Sequence, residues 1–442
     1  MMLAGRHMKE SGMVMSPPDE VWFVPGFAEL GTAGDVLSAA LETAHMLPPD
    51  RLGSLLRRAG TAIGAADVST WLIDYGLTSL VPIDDEAVRS DDVELGAAIP
   101  VAGTTAGRAF ARTEAIEADR PTPHRWVPML DGTERLGVLR FGFAAPMTER
   151  QRRLSDALAS LGGALLVSKR AHTDHYAMRR RQQQMNLAAE MQWRQLPPLE
   201  SSMPTVAVAG LVEPAYEVGG DGFDYSLNGS LLDLTIYDAV GHGLHAALLS
   251  ALMIATLRHG RRRELGPAER LALADESIGA NFPGDYITAQ VAELSTLTGQ
   301  LTWANAGHPL PLLVRDGRAV GDLPCAPRPP VGMASLQTTP TTVESVQLQP
   351  GDRVLFYTDG LVEGGRRGGS RFGLERLVDL LERANGERLG CAETIRRLGN
   401  NVLEHAAYEL TDDATMMLVE WRGLPADPEA GAFARTHDTS SC

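Results

Sequence analysis

The sequence predicts an α+β protein of two domains, and three observations predict it. The chain has 442 residues, room for two or three domains at about 150 residues each. Residues 36–167 open and close with helical apolar spacing around a set of short strand-like runs. Residues 201–422 alternate strand-like runs with turns, and several of those runs stop at an aspartate next to glycine.

Composition narrows the class. Lys and Arg number 40 against 56 Asp and Glu, a formal charge of −16, which argues against a nucleic-acid binder with its basic face. Apolar residues at 44% with 22% charged are ordinary for a chain that buries large cores. Cys325, Cys391 and Cys442 are far apart and form no CxxC pair, which excludes a disulfide framework and common zinc-ribbon spacings. The most apolar helical stretch, 246–257, is shorter than the ~20 residues a bilayer requires. Charged residues such as Arg6, Lys9 and Glu10 interrupt any apolar leader, so the expected location is the cytoplasm, with no membrane partner.

Residues 1–34 show no sustained period and read as disordered. In 35–167, helices are expected over 36–45, 51–63 and 150–167, the second marked by Leu52, Leu55, Leu56 and Ala59 at helical intervals. Strands are expected over 68–73, 79–82, 97–101, 126–130 and 137–142, with Asp131-Gly132 as a hairpin turn signal. Residues 168–198 are polar and helix-prone up to Pro197-Pro198, a connecting helix between domains. Residues 423–442 read as a tail.

Four acidic signals mark 199–422. They are Glu217-Val-Gly-Gly-Asp221-Gly-Phe-Asp224, Tyr237-Asp238-Ala239-Val-Gly241-His242-Gly243, Tyr357-Thr-Asp359-Gly360, and Asp412-Asp413 ahead of an apolar run. A carboxylate at a strand end is held by the sheet, while the neighbouring glycine lets a ligand approach the backbone. Several such ends together make an all-oxygen site, the donor set that Mg²⁺ and Mn²⁺ prefer, and paired cations suit phosphoryl displacement.

Taken together, in this order, the four signals resemble the PPM-type metal-dependent serine/threonine phosphatases, in particular their SpoIIE/RsbU-like branch. Trp303-Ala-Asn-Ala-Gly-His308-Pro, Leu348-Gln-Pro-Gly-Asp352 and Phe372-Gly-Leu-Glu-Arg-Leu377 extend the match across essentially all of 200–421. The resemblance implies an αββα sandwich with two or more Mn²⁺ or Mg²⁺ ions at one end. It implies metal ligation by Asp221, Asp238, the Ala239 carbonyl and Asp359, with Asp412 or Asp413 completing the set. It also implies direct attack by an activated water without a phospho-enzyme. The second signal departs from the branch's usual Gly-Asp-Val-Ser-Gly, with Ala239 and Val240 in place of Val-Ser. His242 is a candidate proton donor, and a turn histidine between glycines serves structure equally well. His308 reads as structural, and Asp224 as a peripheral metal or water ligand or neither.

Residues 35–167, through Ile99-Pro-Val-Ala-Gly-Thr-Thr-Ala-Gly-Arg-Ala-Phe110 and the hairpin after Trp126, resemble a GAF domain, a small-ligand or dimerisation module. With no cysteine inside it a thioether-linked bilin is excluded, and His124 reads as a loop histidine rather than a haem ligand. The expected whole is a phosphatase acting on a phosphorylated anti-anti-sigma (STAS-domain) protein. It is expected to be a homodimer, with the GAF-like domain acting through the connecting helix. A non-catalytic phosphoprotein-binding scaffold is the alternative.

Overall fold

A computed structural model describes residues 33–83, 97–120, 122–217, 219–363, 371–407, 410 and 412–424. The expectations for 1–32 and 425–442 lie outside the described residues.

The N-terminal domain places α1 (Ala33–Met46) and α2 (Leu52–Ala62) before β1 (Asp67–Ile73) and β2 (Ser79–Pro82). β3 (Ile99–Pro100), α3 (Thr105–Arg112), β4 (Ile116–Ala118), β5 (His124–Asp131), β6 (Glu134–Gly142) and α4 (Glu149–Arg170) follow. The sheet is six-stranded and antiparallel, in the order β3-β2-β1-β6-β5-β4. Asp131 pairs with Glu134 across the expected hairpin, and Gly132 takes the positive φ of 56° that the two-residue turn needs. α1, α2 and α4 cover one face, where Leu52, Leu56, Leu139, Phe141 and Leu158 form a core. Gly163 lets α4 close on β5: a Cβ there would stand 2.0 Å from the Leu130 carbonyl oxygen. The expected strand 97–101 contracts to Ile99–Pro100.

Residues 168–198 are not one helix. α4 runs on to Arg170, α5 is the single turn His175–Arg179, and α6 (Leu187–Gln195) starts afresh where Asn186 caps it by accepting from the Ala189 amide at 2.7 Å. The break lets α6 fold back onto the C-terminal domain, with Trp193 Nε1 donating to the Ala215 carbonyl at 2.7 Å and the Trp193 ring 4.7 Å from that of Tyr75.

The C-terminal domain stacks two antiparallel sheets. Its elements are β7 (Glu200–Ser202), β8 (Val206–Glu213), β9 (Gly222–Asn228), β10 (Leu231–Ala239), α7 (Gly243–Arg262), α8 (Pro267–Asn281), β11 (Ile287–Ser295) and β12 (Gln300–Ala306). β13 (Leu312–Arg315), β14 (Arg318–Asp322), β15 (Glu344–Gln347), β16 (Arg353–Tyr357), α9 (Asp359–Glu363), α10 (Leu374–Gly386), α11 (Cys391–His405) and β17 (Ala414–Trp421) complete it. One sheet runs β15-β12-β11-β10-β9 and the other β14-β13-β16-β17-β8-β7. Alternation along each strand sorts the layers. Leu232, Leu234 and Ile236 of β10 meet Val354, Phe356, Met417 and Val419 between the sheets. Tyr237 and Ala239 point the other way, onto α7 and α8. Leu355, Met416 and Leu418 face α10 and α11. The result is an αββα sandwich.

The domains share a core. Trp71, Phe110 and Val138 of the first belong to the same buried cluster as Ala207, Leu211 and Leu398 of the second. Arg135 crosses this boundary, with Nε 2.9 Å from Glu200 and Nη1 3.4 Å from Glu393. Nearby, Glu213 ends β8 fully buried. Its Oε2 accepts from the Ala215 amide at 2.9 Å, while Oε1 has no hydrogen-bond partner among the described residues.

Burial, with the Asp74 charge adding to it, pushes the Glu213 carboxyl up to about 8 from 4.5. A folded pKa above the unfolded one contributes stability that is complete below the unfolded pKa and lost as pH rises through the folded value. Thermal midpoints should therefore fall as pH rises from about 4.5 to about 8, with a slope from this one group of at most about 1.4 kcal/mol per pH unit. Glu213→Gln, which keeps the acceptor and cannot ionise, should flatten that fall relative to wild type. A variant as pH-dependent as wild type would remove Glu213 from the account.

A carboxylate cluster at the end of the sandwich

Four loops meet at one end of the sandwich. Asp221 immediately precedes β9, Asp238 is the next-to-last residue of β10, Asp359 opens α9 just after β16, and Asp412-Asp413 precede β17. Register explains the convergence, since Tyr237 pairs with Gly222 in one sheet and Tyr357 with Met416 in the other. By alternation Asp238 falls on the same face as Leu234 and Ile236, toward the opposite sheet. Gly360 is required here because a Cβ would stand 1.9 Å from the Asp413 carbonyl oxygen. Gly241, at φ 89°, turns the chain from Ala239 into α7.

Asp221 is 2% exposed and accepts from Thr358 Oγ1 at 2.6 Å, and Thr358 Oγ1 in turn accepts from the Thr415 amide at 2.9 Å. Asp413 Oδ2 accepts from the amides of Gly219 and Gly220 at 2.9 and 3.0 Å, holding the loop that carries Asp221. Asp412 is exposed and turns its Oδ1 to the Asp413 amide at 3.0 Å. Between the two alternatives of this pair, Asp413 is committed to backbone and Asp412 stands open at the mouth.

Burial first, then the charges of Asp238 and Asp413, holds the Asp221 carboxyl well above the usual carboxylate range. Burial and the charges of Asp359, Asp412 and Asp413 push Asp238 up to about 7, with the proximity of Asp221 acting against them. Asp412 and Asp413 are raised by burial as well. Five carboxylates thus feel one another, and among the described residues no Lys or Arg forms an ion pair with any of them.

A hard divalent cation fits this donor set, all oxygen, like-charged and without a basic partner. The fit is chemical rather than fully assembled: among the described residues no group of three or more His, Cys, Asp or Glu is gathered closely enough to hold an ion as it stands. The Ala239 carbonyl lies against Gly220, where a Cβ would approach it to 2.9 Å.

The remaining candidates separate clearly. His242 is exposed at the start of α7, near enough for its charge to favour ionised Asp413. His308 is buried, with Nδ1 2.8 Å from Thr288 Oγ1, its amide donating to Asn305 Oδ1 at 2.8 Å and its own pKa pushed down to about 3 by burial. That is a neutral, structural histidine. His124 is not a loop residue; it lies in β5, nearly buried, with Nδ1 2.9 Å from the Thr122 carbonyl.

Asp224 is no peripheral ligand. It is 2% exposed and pairs with Arg258 at 2.7 Å and Arg261 at 2.8 Å, both on α7. Its carboxylate therefore pins α7 to β9. Arg258 also donates to the Gln195 carbonyl at 2.6 Å, where α6 ends. α7 leaves Leu244 and Leu248 46% and 44% exposed. Thr358 and Ser250, whose Oγ donates to the Gly220 carbonyl at 2.5 Å, escaped sequence reasoning. The hydroxyl beside Asp359 in Tyr-Thr-Asp-Gly was the available signal for Thr358.

Residues 228–422 match the family model described as Stage II sporulation protein E (SpoIIE). The chain is 27% identical over 153 residues to phosphoserine phosphatase RsbP of Bacillus subtilis, covering 33% of this chain and 37% of that protein. It is 22% identical over 292 residues to protein IcfG of Synechocystis, covering 58% of this chain and 46% of the relative. The chain spans less than half the length of these curated relatives. Among solved structures, it is similar to the RsbU and RsbW domains of a Mycobacterium tuberculosis protein, at 27% identity and TM-score 0.43, over 51% of this chain and 63% of that one.

Breaking a buried ion pair leaves an uncompensated charge and costs about 3–5 kcal/mol. Replacing both α7 partners, Arg258→Met with Arg261→Met, should lower the melting temperature sharply while Mn²⁺ affinity by titration calorimetry stays within about twofold. Asp221→Asn should do the reverse. Equal loss of Mn²⁺ binding in both would return Asp224 to the ligand set.

Proposed function

We propose that the chain is a metal-dependent phosphatase that hydrolyses phosphoserine or phosphothreonine in proteins. The observation that carries this reading is that Asp221, Asp238, Asp359, Asp412 and Asp413 feel one another's charge at one end of the sandwich, with no Lys or Arg ion pair to any of them among the described residues, within or beside the segment that matches the SpoIIE model. Asp221, Asp238, the Ala239 carbonyl, Asp359 and Asp412 would hold Mn²⁺ or Mg²⁺, and Asp413 would secure the loop that presents Asp221. Such cations supply charge neutralisation and an activated water for phosphoryl transfer.

The protein's own part is positional. Thr358 fixes the Asp221 carboxylate, and Ser250 and the Gly219–Gly220 amides fix the loop that bears it. The exposed His242 stands at the mouth, where an imidazole could pass a proton to the leaving hydroxyl. The relative named as a phosphoserine phosphatase supports phosphoserine as substrate class. Within that class, a phosphorylated STAS-domain partner, a homodimeric state, a cytoplasmic location and control by the GAF-like domain complete the reading. Among the described residues no helix is long and apolar enough to cross a membrane.

The test is phosphate release from a phosphoserine peptide with Mn²⁺. Activity should vanish in EDTA and fall by about 100-fold or more in Asp238→Ala and Asp359→Ala. Thr358→Ser should retain most of it, and Thr358→Val should lose about tenfold. Metal-independent turnover, or turnover indifferent to Asp238, would sink the reading.

A further inference from the structure

Far along the sandwich from the carboxylates, the two domains enclose a cleft of about 990 Å³, within the size range of small-molecule sites. Its floor is an ion-pair chain in which the charges consume one another. Arg135 sits between Glu200 and Glu393, and Glu393 takes Arg396 at 2.8 Å and Arg397 at 2.9 Å.

The walls are different. Arg108 and Arg112 lie one helical turn apart on the exposed side of α3, and Arg388 lies across from them in the turn between α10 and α11. Among the described residues none of these three forms an ion pair, and the side chain of Arg108 reaches only Thr105 Oγ1 at 3.3 Å. Glu114 is the one lining carboxylate likewise without a salt bridge among the described residues. Arg396, which also lines the cleft, is 7% exposed and keeps its Nη1 without a hydrogen-bond partner among the described residues. On a chain of charge −16, this concentrates unspent guanidinium groups from two domains around one cavity.

We propose that this interdomain cleft binds a small molecule bearing two or more phosphate groups. Guanidinium groups match phosphate oxygens with paired N–H donors. A ligand with separated charges can meet α3 on one wall and the α10–α11 turn on the other, which a single phosphate cannot. The inference stands independently of the phosphatase reading, because none of these arginines belongs to the carboxylate end.

The experiment titrates the full chain calorimetrically with inorganic pyrophosphate, and separately with ADP. EDTA is present, so that the aspartates hold no cation able to recruit phosphate. Saturable binding near one molecule per chain is expected. Arg112→Glu and Arg388→Glu, one from each wall, should each weaken it about tenfold or more, as should the milder Arg112→Gln and Arg388→Gln. Melting curves matching wild type would show that the variants fold. Absence of binding by either probe at millimolar concentration overturns the proposal. So does binding that responds to only one wall, or to neither.

Discussion

Asp221 and Asp238 face one another's charge in a place where burial makes neither carboxylate comfortable ionised, and much of the C-terminal domain is arranged around that discomfort. Like charges in a partly desolvated site repel strongly, and proteins usually answer with a basic side chain. Here, among the described residues, the answer is backbone and hydroxyl. Thr358 donates to Asp221, and the Gly219 and Gly220 amides donate to Asp413. These contacts fix where the carboxylates sit without cancelling their charge. A site built this way keeps its electrostatic demand available for something that arrives from solution, and a hard cation meets it best.

The same end of the domain is mechanically tied to the segment between the domains. α7 begins one residue after Gly241-His242 and carries Ser250, whose hydroxyl holds the Gly220 carbonyl. Further along, Arg258 and Arg261 grip Asp224, and Arg258 reaches the last residue of α6. α7 thus touches the Asp221 loop through one residue and the interdomain segment through another. Its N-terminal turn still leaves Leu244 and Leu248 open to solvent. The N-terminal half is nevertheless packed down, with Ala246 and Leu249 in the core beneath the helix.

The carboxylates were legible in the sequence because their placement is a matter of period two. Runs such as 234–238 and 353–357 announce strands, and an aspartate at or just beyond the end of such a run lands at the end of a sheet. The partners of those carboxylates were less so. Asp224 and Arg258 are 34 residues apart, and nothing local distinguishes a carboxylate that meets arginines from one that faces a ligand. The break between α5 and α6 was missed for a related reason: residues 168–198 are uniformly helix-prone, and the capping by Asn186 matters only once Trp193 and Ala215 have fixed where α6 must lie. That Asp413 is taken up by the Gly219 and Gly220 amides, 193 residues and more away in the loop between β8 and β9, was equally invisible locally.

Nor could composition reveal that the two domains share a core. The face of the N-terminal sheet bearing Trp71 and Val138 is closed by α3 together with β8 and α11, so separating the domains would expose Ala207, Leu211 and Leu398 as well. That apolar continuity, at roughly 25 cal/mol per Å² removed from water, is what holds the domains together. The Arg135 ion pairs inside it pay a desolvation penalty, so their contribution is to fix register rather than to add much binding energy. β8 spans both regions. Its outward residues Ala207, Ala209 and Leu211 lie in the shared core, and its final residue, Glu213, pairs across to Ala414, next to Asp413. A displacement of the N-terminal domain that moved this strand would therefore be felt at the loop holding Asp221, two bonded contacts away, and the rigidity of a central strand paired on both sides is what would carry it.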